Sequence, residues 1–180
     1  MTSPSLTIRP RTAADLDPCA QLLVRVHERD GYPVEGVADP ISWLTPASLV
    51  RAWVADLNNT VVGHVAISEP QPTDDAAQLA KDHGINSDTI AVLGRLFVAP
   101  ETRGQRIGYH LTRTAMDDAA HHKMRLVLDV MNKDTAAIRL YENLKWQYIG
   151  ESTHHYGDGL KAEARCYLAP SPLPGPRAAE

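Results

Sequence analysis

The run Leu96-Phe97-Val98-Ala99-Pro100-Glu101-Thr102-Arg103-Gly104-Gln105-Arg106-Ile107-Gly108 constrains this chain more than any other feature. An apolar strand meets a proline, a turn rich in arginine and glycine follows, and a helix begins. That order aims several backbone N–H groups and the positive end of a helix at one point, the arrangement that holds phosphate. Gly104 and Gly108 lack a Cβ, so a ligand can come close to the main chain. Arg103 and Arg106 add charge-assisted hydrogen bonds at the same place. The segment reads as a pyrophosphate cradle. A Walker A loop is excluded because no Lys-Ser or Lys-Thr pair is near, and a dinucleotide fingerprint because the turn lies past mid-chain with different spacing.

Arg103 and Gly108 match the pattern Gln/Arg-x-x-Gly-x-Gly/Ala, Gly104 adds a glycine at a free position of it, and Arg106 stands at its middle glycine. This turn resembles the acyl-CoA-binding motif of the GNAT superfamily of N-acetyltransferases. A second segment, Asp134 to Trp146, resembles the same family's Asn-x-x-Ala-x-x-Leu-Tyr-x-x-x-Gly-Phe. Ala137, Leu140 and Tyr141 fall in place there. Asp134 replaces the asparagine, with Asn132 two residues earlier as a substitute, and Lys145-Trp146 replaces Gly-Phe. The resemblance spans residues 5–169. It implies an α/β (α+β) GNAT fold: a mixed sheet of six to seven strands, splayed between the fourth and fifth, flanked by about four helices.

At 180 residues the chain suits a single domain, taken as 1–169, with a proline-rich tail over 170–180. A net charge of −4 offers no basic surface to nucleic acid, so a polyanionic cofactor must be held by local charge. Arg103, Arg106 and Arg113 gather at one helix for that purpose. Cys19 and Cys166 form no disulfide framework, and no metal-ligand spacing is present. With no signal peptide and no membrane-length apolar run, the chain reads as cytosolic and without a membrane partner.

Along the chain, Leu6 to Arg9 reads as a strand, and a helix starts at Asp17-Pro18, with Asp17 as its cap, and fades by Gly31. Residues 31–47 are irregular, with a short helix over Ile41 to Leu44. Arg51 to Leu57 and Thr60 to Ser68 form a hairpin across Asn58-Asn59. A helix over Asp75 to Asp82 closes at Gly84. Thr89 to Val98 is the strand feeding the cradle, and Gly94 within it suggests a bulge or a close ligand approach. A helix from about Arg103 to His121, a buried strand over Arg125 to Met131 and a helix over Asp134 to Leu144 follow. Trp146 to Thr153 and Lys161 to Leu168 read as a closing hairpin.

The resemblance implies that main-chain groups of Leu96, Phe97 and Val98 hold pantetheine as an added strand would, while Arg103, Gly104, Gln105, Arg106, Ile107 and Gly108 hold pyrophosphate. Asn132, Ala137 and Tyr141 complete the cofactor site. Acetyl-CoA is then the co-substrate and a primary amine, small molecule or protein, the acceptor. A backbone N–H near Leu96 stabilises the oxyanion, a contribution of about 3–4 kcal/mol for one donor. On the residues alone, Ala137, Leu140, Tyr141 and Leu144 form an apolar helical stripe, which makes Tyr141 a packing residue. The resemblance makes it the acid for the departing sulfur.

No single base stands out. Glu69 and His64 are candidates from the third strand; His64 also reads as a structural histidine and Glu69 as a solvated carboxylate. His154 and His155 begin the hairpin loop, and a water relay is equally open. Arg95 lies where some relatives carry a catalytic glutamate. Acceptor specificity is expected from residues 27–47, with His27, Tyr32 and Trp43 lining a pocket and Asp30, Glu35 and Asp39 suiting a cationic amine; the same aromatics also read as core cover. Two other readings stay open: a catalytically weak GNAT-like acyl-CoA-binding sensor or partner module, and a nucleotide binder using the same cradle. A homodimer is also left open.

Overall fold

Apolar runs bounded by turn residues become a seven-stranded sheet in the order β1-β2-β3-β4-β5-β7-β6. The strands are β1 Leu6–Pro10, β2 Leu49–Leu57, β3 Thr60–Ser68, β4 Ile90–Val98, β5 Arg125–Met131, β6 Gln147–Tyr156 and β7 Leu160–Leu168. This computed structural model describes residues 5–171, so the expected tail lies largely outside the described residues. Every neighbouring pair is antiparallel except β4 and β5. A parallel pair needs a crossover, and the helix α4 (Ile107–His121) supplies it. The remaining helices are α1 Leu16–Asp30, α2 Pro40–Leu44, α3 Asp75–Asp82 and α5 Thr135–Asn143. None of the described helices is long and apolar enough to cross a membrane.

The β2–β3 hairpin turns where Asn58-Asn59 predicted, with φ of 53° and 64°, the left-handed pair that matches strand twist. Three expectations shift. The first helix begins at Leu16, because Thr12 and Asp15 form a capping box around a short 3-10 turn over Ala13–Asp15. Pro18 then occupies the third helical position, where a missing N–H costs nothing. The cradle helix begins at Ile107 rather than Arg103, since Gly104 (φ 83°) and Arg106 (φ 60°) are left-handed and cannot belong to an α-helix. The irregularity in β4 falls one residue beyond Gly94, at Arg95 (φ 53°), where Arg95 and Leu96 together oppose Val65.

Two faces of the sheet carry different layers. A Cβ on Gly63 would meet Leu111 Cδ1 at 2.9 Å and Ile107 Cγ2 at 3.3 Å, so the bare backbone of β3 is what seats α4 on one face. The next residue, His64, turns to the opposite face and stacks on Phe97, which in turn meets Trp43 of α2. On that same face α1 packs beside α2, and Ala76, Ala77 and Ala80 of α3 cover Ile90, Val127, Ile149 and Cys166. Cys19 and Cys166 are buried and free, and burial pushes their thiols up to about 12 and about 11.

Candidate functional site

Pairing between β4 and β5 runs through Ile90↔Arg125, Ala91↔Leu126 and Val92↔Val127, then stops. Each strand nevertheless continues, β4 paired with β3 as far as Val98 and β5 paired with β7 as far as Met131. The two strands therefore part after Val92, leaving the edges Leu93–Val98 and Leu128–Met131 facing a gap. Unpaired N–H and C=O groups along such edges accept an extended ligand as they would another strand. The bulge at Arg95 and Leu96 lies on this open edge and leaves a main-chain group out of the β3 ladder.

At the far end of β4 the chain passes through a 3-10 turn, Pro100–Thr102, into the cradle. Among the described residues, the N–H groups of residues 104–109 donate to no backbone carbonyl; the first helical bond is His110 N to Arg106 O. Nothing lies within 4 Å of a Cβ built on Gly104, so the surface above it is open. Arg106 adopts the left-handed conformation that glycine would adopt more cheaply. Its guanidinium turns aside onto the Tyr109 ring, 4.4 Å from the centroid, and does not fill the cradle. Arg103, expected to bind phosphate, is already paired with Asp30 of α1 and holds that carboxyl below its usual range. Arg113 lies further along α4, beside Asp117 at 3.6 Å. The free donors here include the main-chain N–H groups, with Gln105 exposed among them and Ile107 buried beneath.

Tyr141 comes from α5, with its ring 5.5 Å from Trp146 and 6.4 Å from Tyr167. Only 5% of its surface is exposed, and the phenol makes no hydrogen bond to any described residue. Burial, then the charges of Asp129 and Asp134, push its pKa above the ordinary phenol range. Asp129 itself projects from the open edge of β5, on the face that carries Val127 and α3. It is exposed to solvent yet flanked by protein, and desolvation raises its pKa while the His154 charge lowers it. Sequence reasoning missed Asp129. The available signal was a carboxylate inside the apolar run Leu126-Val127-Leu128-Asp129-Val130.

The predicted acceptor residues Tyr32 and Trp43 do meet, edge to face at 5.9 Å. Burial, then the neighbouring Tyr141 and Glu35, raise the Tyr32 phenol, while Arg95 lowers it. Glu35 accepts from Trp43 Nε1 at 2.9 Å, and His154 Nε2 lies 3.9 Å from its other oxygen. His154 and His155 lie within β6 rather than in a loop. His27 occupies the last turn of α1 with Nδ1 enclosed and without a partner. Asn132 is exposed in the β5–α5 turn, and Ala137 is half-buried on α5.

Of the two candidate bases from the third strand, His64 is corrected. His64 is fully enclosed: Nδ1 donates to Arg95 O at 2.8 Å, and Nε2 accepts from Arg11 Nη1 at 3.0 Å. Both partners dictate that tautomer, since a carbonyl only accepts and a guanidinium only donates. Desolvation lowers its pKa to about 4, and no lone pair is left for a substrate proton. Glu69 is exposed beyond Ser68, which pairs with Val92 at the closed end of the split. Strand rise places that level roughly 10 Å from Leu96, three residues along β3.

Comparison with known proteins agrees with this geometry. The family model for Acetyltransferase (GNAT) family matches residues 16–146. The chain is similar to N-acetylaspartate synthetase of Xenopus tropicalis, 30% identical over 109 residues, covering 60% of this chain and 35% of that relative's length. It superposes on Arabidopsis thaliana NAA60 in complex with acetyl-CoA (TM-score 0.70, 16% identity, 91% of this chain and 97% of that one). It also superposes on the ribosomal-protein-S18-alanine N-acetyltransferase of Escherichia coli (TM-score 0.68, 16% identity, 98% and 100%). A parted β4–β5 pair beside a main-chain anion cradle, and a family match across most of the sheet, have one conclusion: this chain belongs to the GNAT family of acetyltransferases.

Proposed function

We propose that this protein transfers an acetyl group from acetyl-CoA to a primary amine by direct attack in a ternary complex. The observation that carries the reading is the β4–β5 pairing that ends at Val92↔Val127 next to a turn whose N–H groups are free. Main-chain groups of Leu96, Phe97 and Val98 hold the pantetheine arm, and residues 104–108 hold the pyrophosphate at the α4 N-terminus. Asn132 and Ala137 border the same ligand from the β5–α5 side. The bound thioester supplies an activated acetyl group.

Asp129 takes the first proton from the acceptor ammonium, since a carboxylate with a raised pKa is a better base near neutrality than an ordinary one. A main-chain N–H at the Arg95–Leu96 bulge stabilises negative charge on the carbonyl oxygen as the C–N bond forms. Tyr141 gives its hydroxyl proton to the sulfur as the C–S bond breaks. The proton that the nitrogen sheds on becoming an amide restores the phenol, and Asp129 passes the first proton to solvent. Tyr32, Trp43 and His27 border the acceptor, and Glu35 and Asp129 provide negative charge for its ammonium. The relatives' names fit an amine acceptor, one of them naming N-acetylaspartate and the other an alanine of a ribosomal protein.

Thermal unfolding with acetyl-CoA, ATP or NAD, followed by thiol release across an amine panel, tests this. Acetyl-CoA alone should raise the melting temperature, and thiol release should depend on the amine. Stabilisation by ATP or NAD instead, or binding of acetyl-CoA with no release for any amine, would overturn it in favour of a nucleotide binder or a sensor.

A further inference from the structure

Arg95 occupies an unusual place. It is a non-glycine residue at φ 53°, at the bulge on the open edge of β4. Its Nε donates to Trp43 O at 2.6 Å, and its guanidinium lies 5.0 Å from the Trp43 ring centroid. Those two contacts fix the plane of the group. Neither Nη makes a hydrogen bond or ion pair with any described residue, although the side chain is half-buried. The acids around it, Glu35 from the α1–α2 segment and Asp74 before α3, attract it without pairing. Glu35 is engaged elsewhere, by Trp43 Nε1, and Asp74 accepts from Gln71 N. An arginine locked through Nε with its two Nη groups free presents the end-on fork that grips a carboxylate in bidentate fashion.

Across the split, Asp129 stands two residues past Val127, level with the bulge that begins three residues past Val92, on the face that carries α2 and α3, so Arg95 and Asp129 border one opening without pairing with each other. The geometry points to an acceptor that carries its own carboxylate, an amino acid, with the carboxylate on Arg95 and the ammonium toward Asp129 and Glu35. A simple polyamine satisfies the acids and leaves the fixed guanidinium unpaired; an amino acid satisfies both. The expectation of a cationic acceptor is thereby narrowed to a zwitterionic one. This assignment rests on the acetyltransferase reading for the location of the acceptor.

Equilibrium binding separates it from turnover. The protein saturated with coenzyme A is titrated calorimetrically with a set of free L-amino acids and with the corresponding amino-acid amides. Wild type should bind at least one free amino acid, roughly tenfold or more tighter than its amide. Arg95→Gln should erase that difference at saturating coenzyme A, and Arg95→Lys should restore part of it. Equal binding of acid and amide, tighter binding of amides, or no binding of any free amino acid overturns the assignment. Carboxylate-dependent binding without thiol release from acetyl-CoA would leave it standing and sink the transferase reading instead.

Discussion

His64 donates from Nδ1 to the carbonyl of Arg95 across 2.8 Å, so a core imidazole clamps the bulge on the strand that borders the split. Arg11 completes the clamp: it donates to His64 Nε2 and to Leu44 O at 2.8 Å, while Arg95 holds Trp43 O. The C-terminal carbonyls of α2 and the bulge of β4 are thus tied to one another through two arginines and one histidine. Cations at that helix end also suit its dipole.

Replacing His64→Phe keeps the stacking on Phe97 but strands the Arg95 carbonyl and the Arg11 guanidinium. The cost should be about 2–4 kcal/mol, read as a lower urea midpoint with an unchanged slope. An unchanged midpoint would mean that the clamp holds nothing.

Stability should also depend on His64 protonation. In the folded chain its pKa is about 4, against about 6.5 when unfolded. Between those values unfolding takes up a proton, so stability is full above pH 6.5 and falls as pH drops toward 4, by up to about 1.4 kcal/mol per pH unit. Denaturation of wild type and His64→Phe across this window isolates the effect, because the variant should lose that part of the slope. Asp15 acts lower: Arg9 holds its pKa at about 2, and its contribution is lost as pH falls through that region.

Asp129→Asn should reduce kcat/KM by roughly 100-fold or more. In wild type the acid limb of the pH–rate profile should titrate above the usual carboxylate range, and the variant should lack that limb. A variant with the wild-type limb would assign the base elsewhere, to water or His154.

Tyr141→Phe should lower kcat by roughly 100-fold while leaving the KM for acetyl-CoA within a small factor. Since the ring is 5% exposed and packs on Trp146 and Tyr167, its removal of one oxygen preserves the packing. Full turnover at saturating acceptor reduces Tyr141 to a packing residue.

Arg106 tests whether the cradle binds through main chain or side chain. Arg106→Gly frees a left-handed residue from a strain of about 1 kcal/mol and loses only the contact with Tyr109. Acetyl-CoA affinity should stay within a few-fold by calorimetry. Arg106→Val, β-branched at φ 60°, should weaken it well beyond that; the reverse order of the two variants contradicts a backbone cradle.

Features encoded within a few consecutive residues were legible without coordinates: the Asn58-Asn59 turn, the strand–turn–helix cradle, and the apolar runs that become β4 and β5. Each depends on local φ/ψ preference or hydrophobic period, which neighbouring residues alone determine. What needed tertiary structure was every relationship between distant segments. Arg103 meets Asp30, His64 meets the Arg95 carbonyl, and β5 leaves β4 after Val92, because packing of helices on two faces of the sheet settles who faces whom. For the same reason Asp129, a carboxylate inside an apolar run, was missed from sequence. It is a carboxylate on an open edge only because the strand beside it turns away.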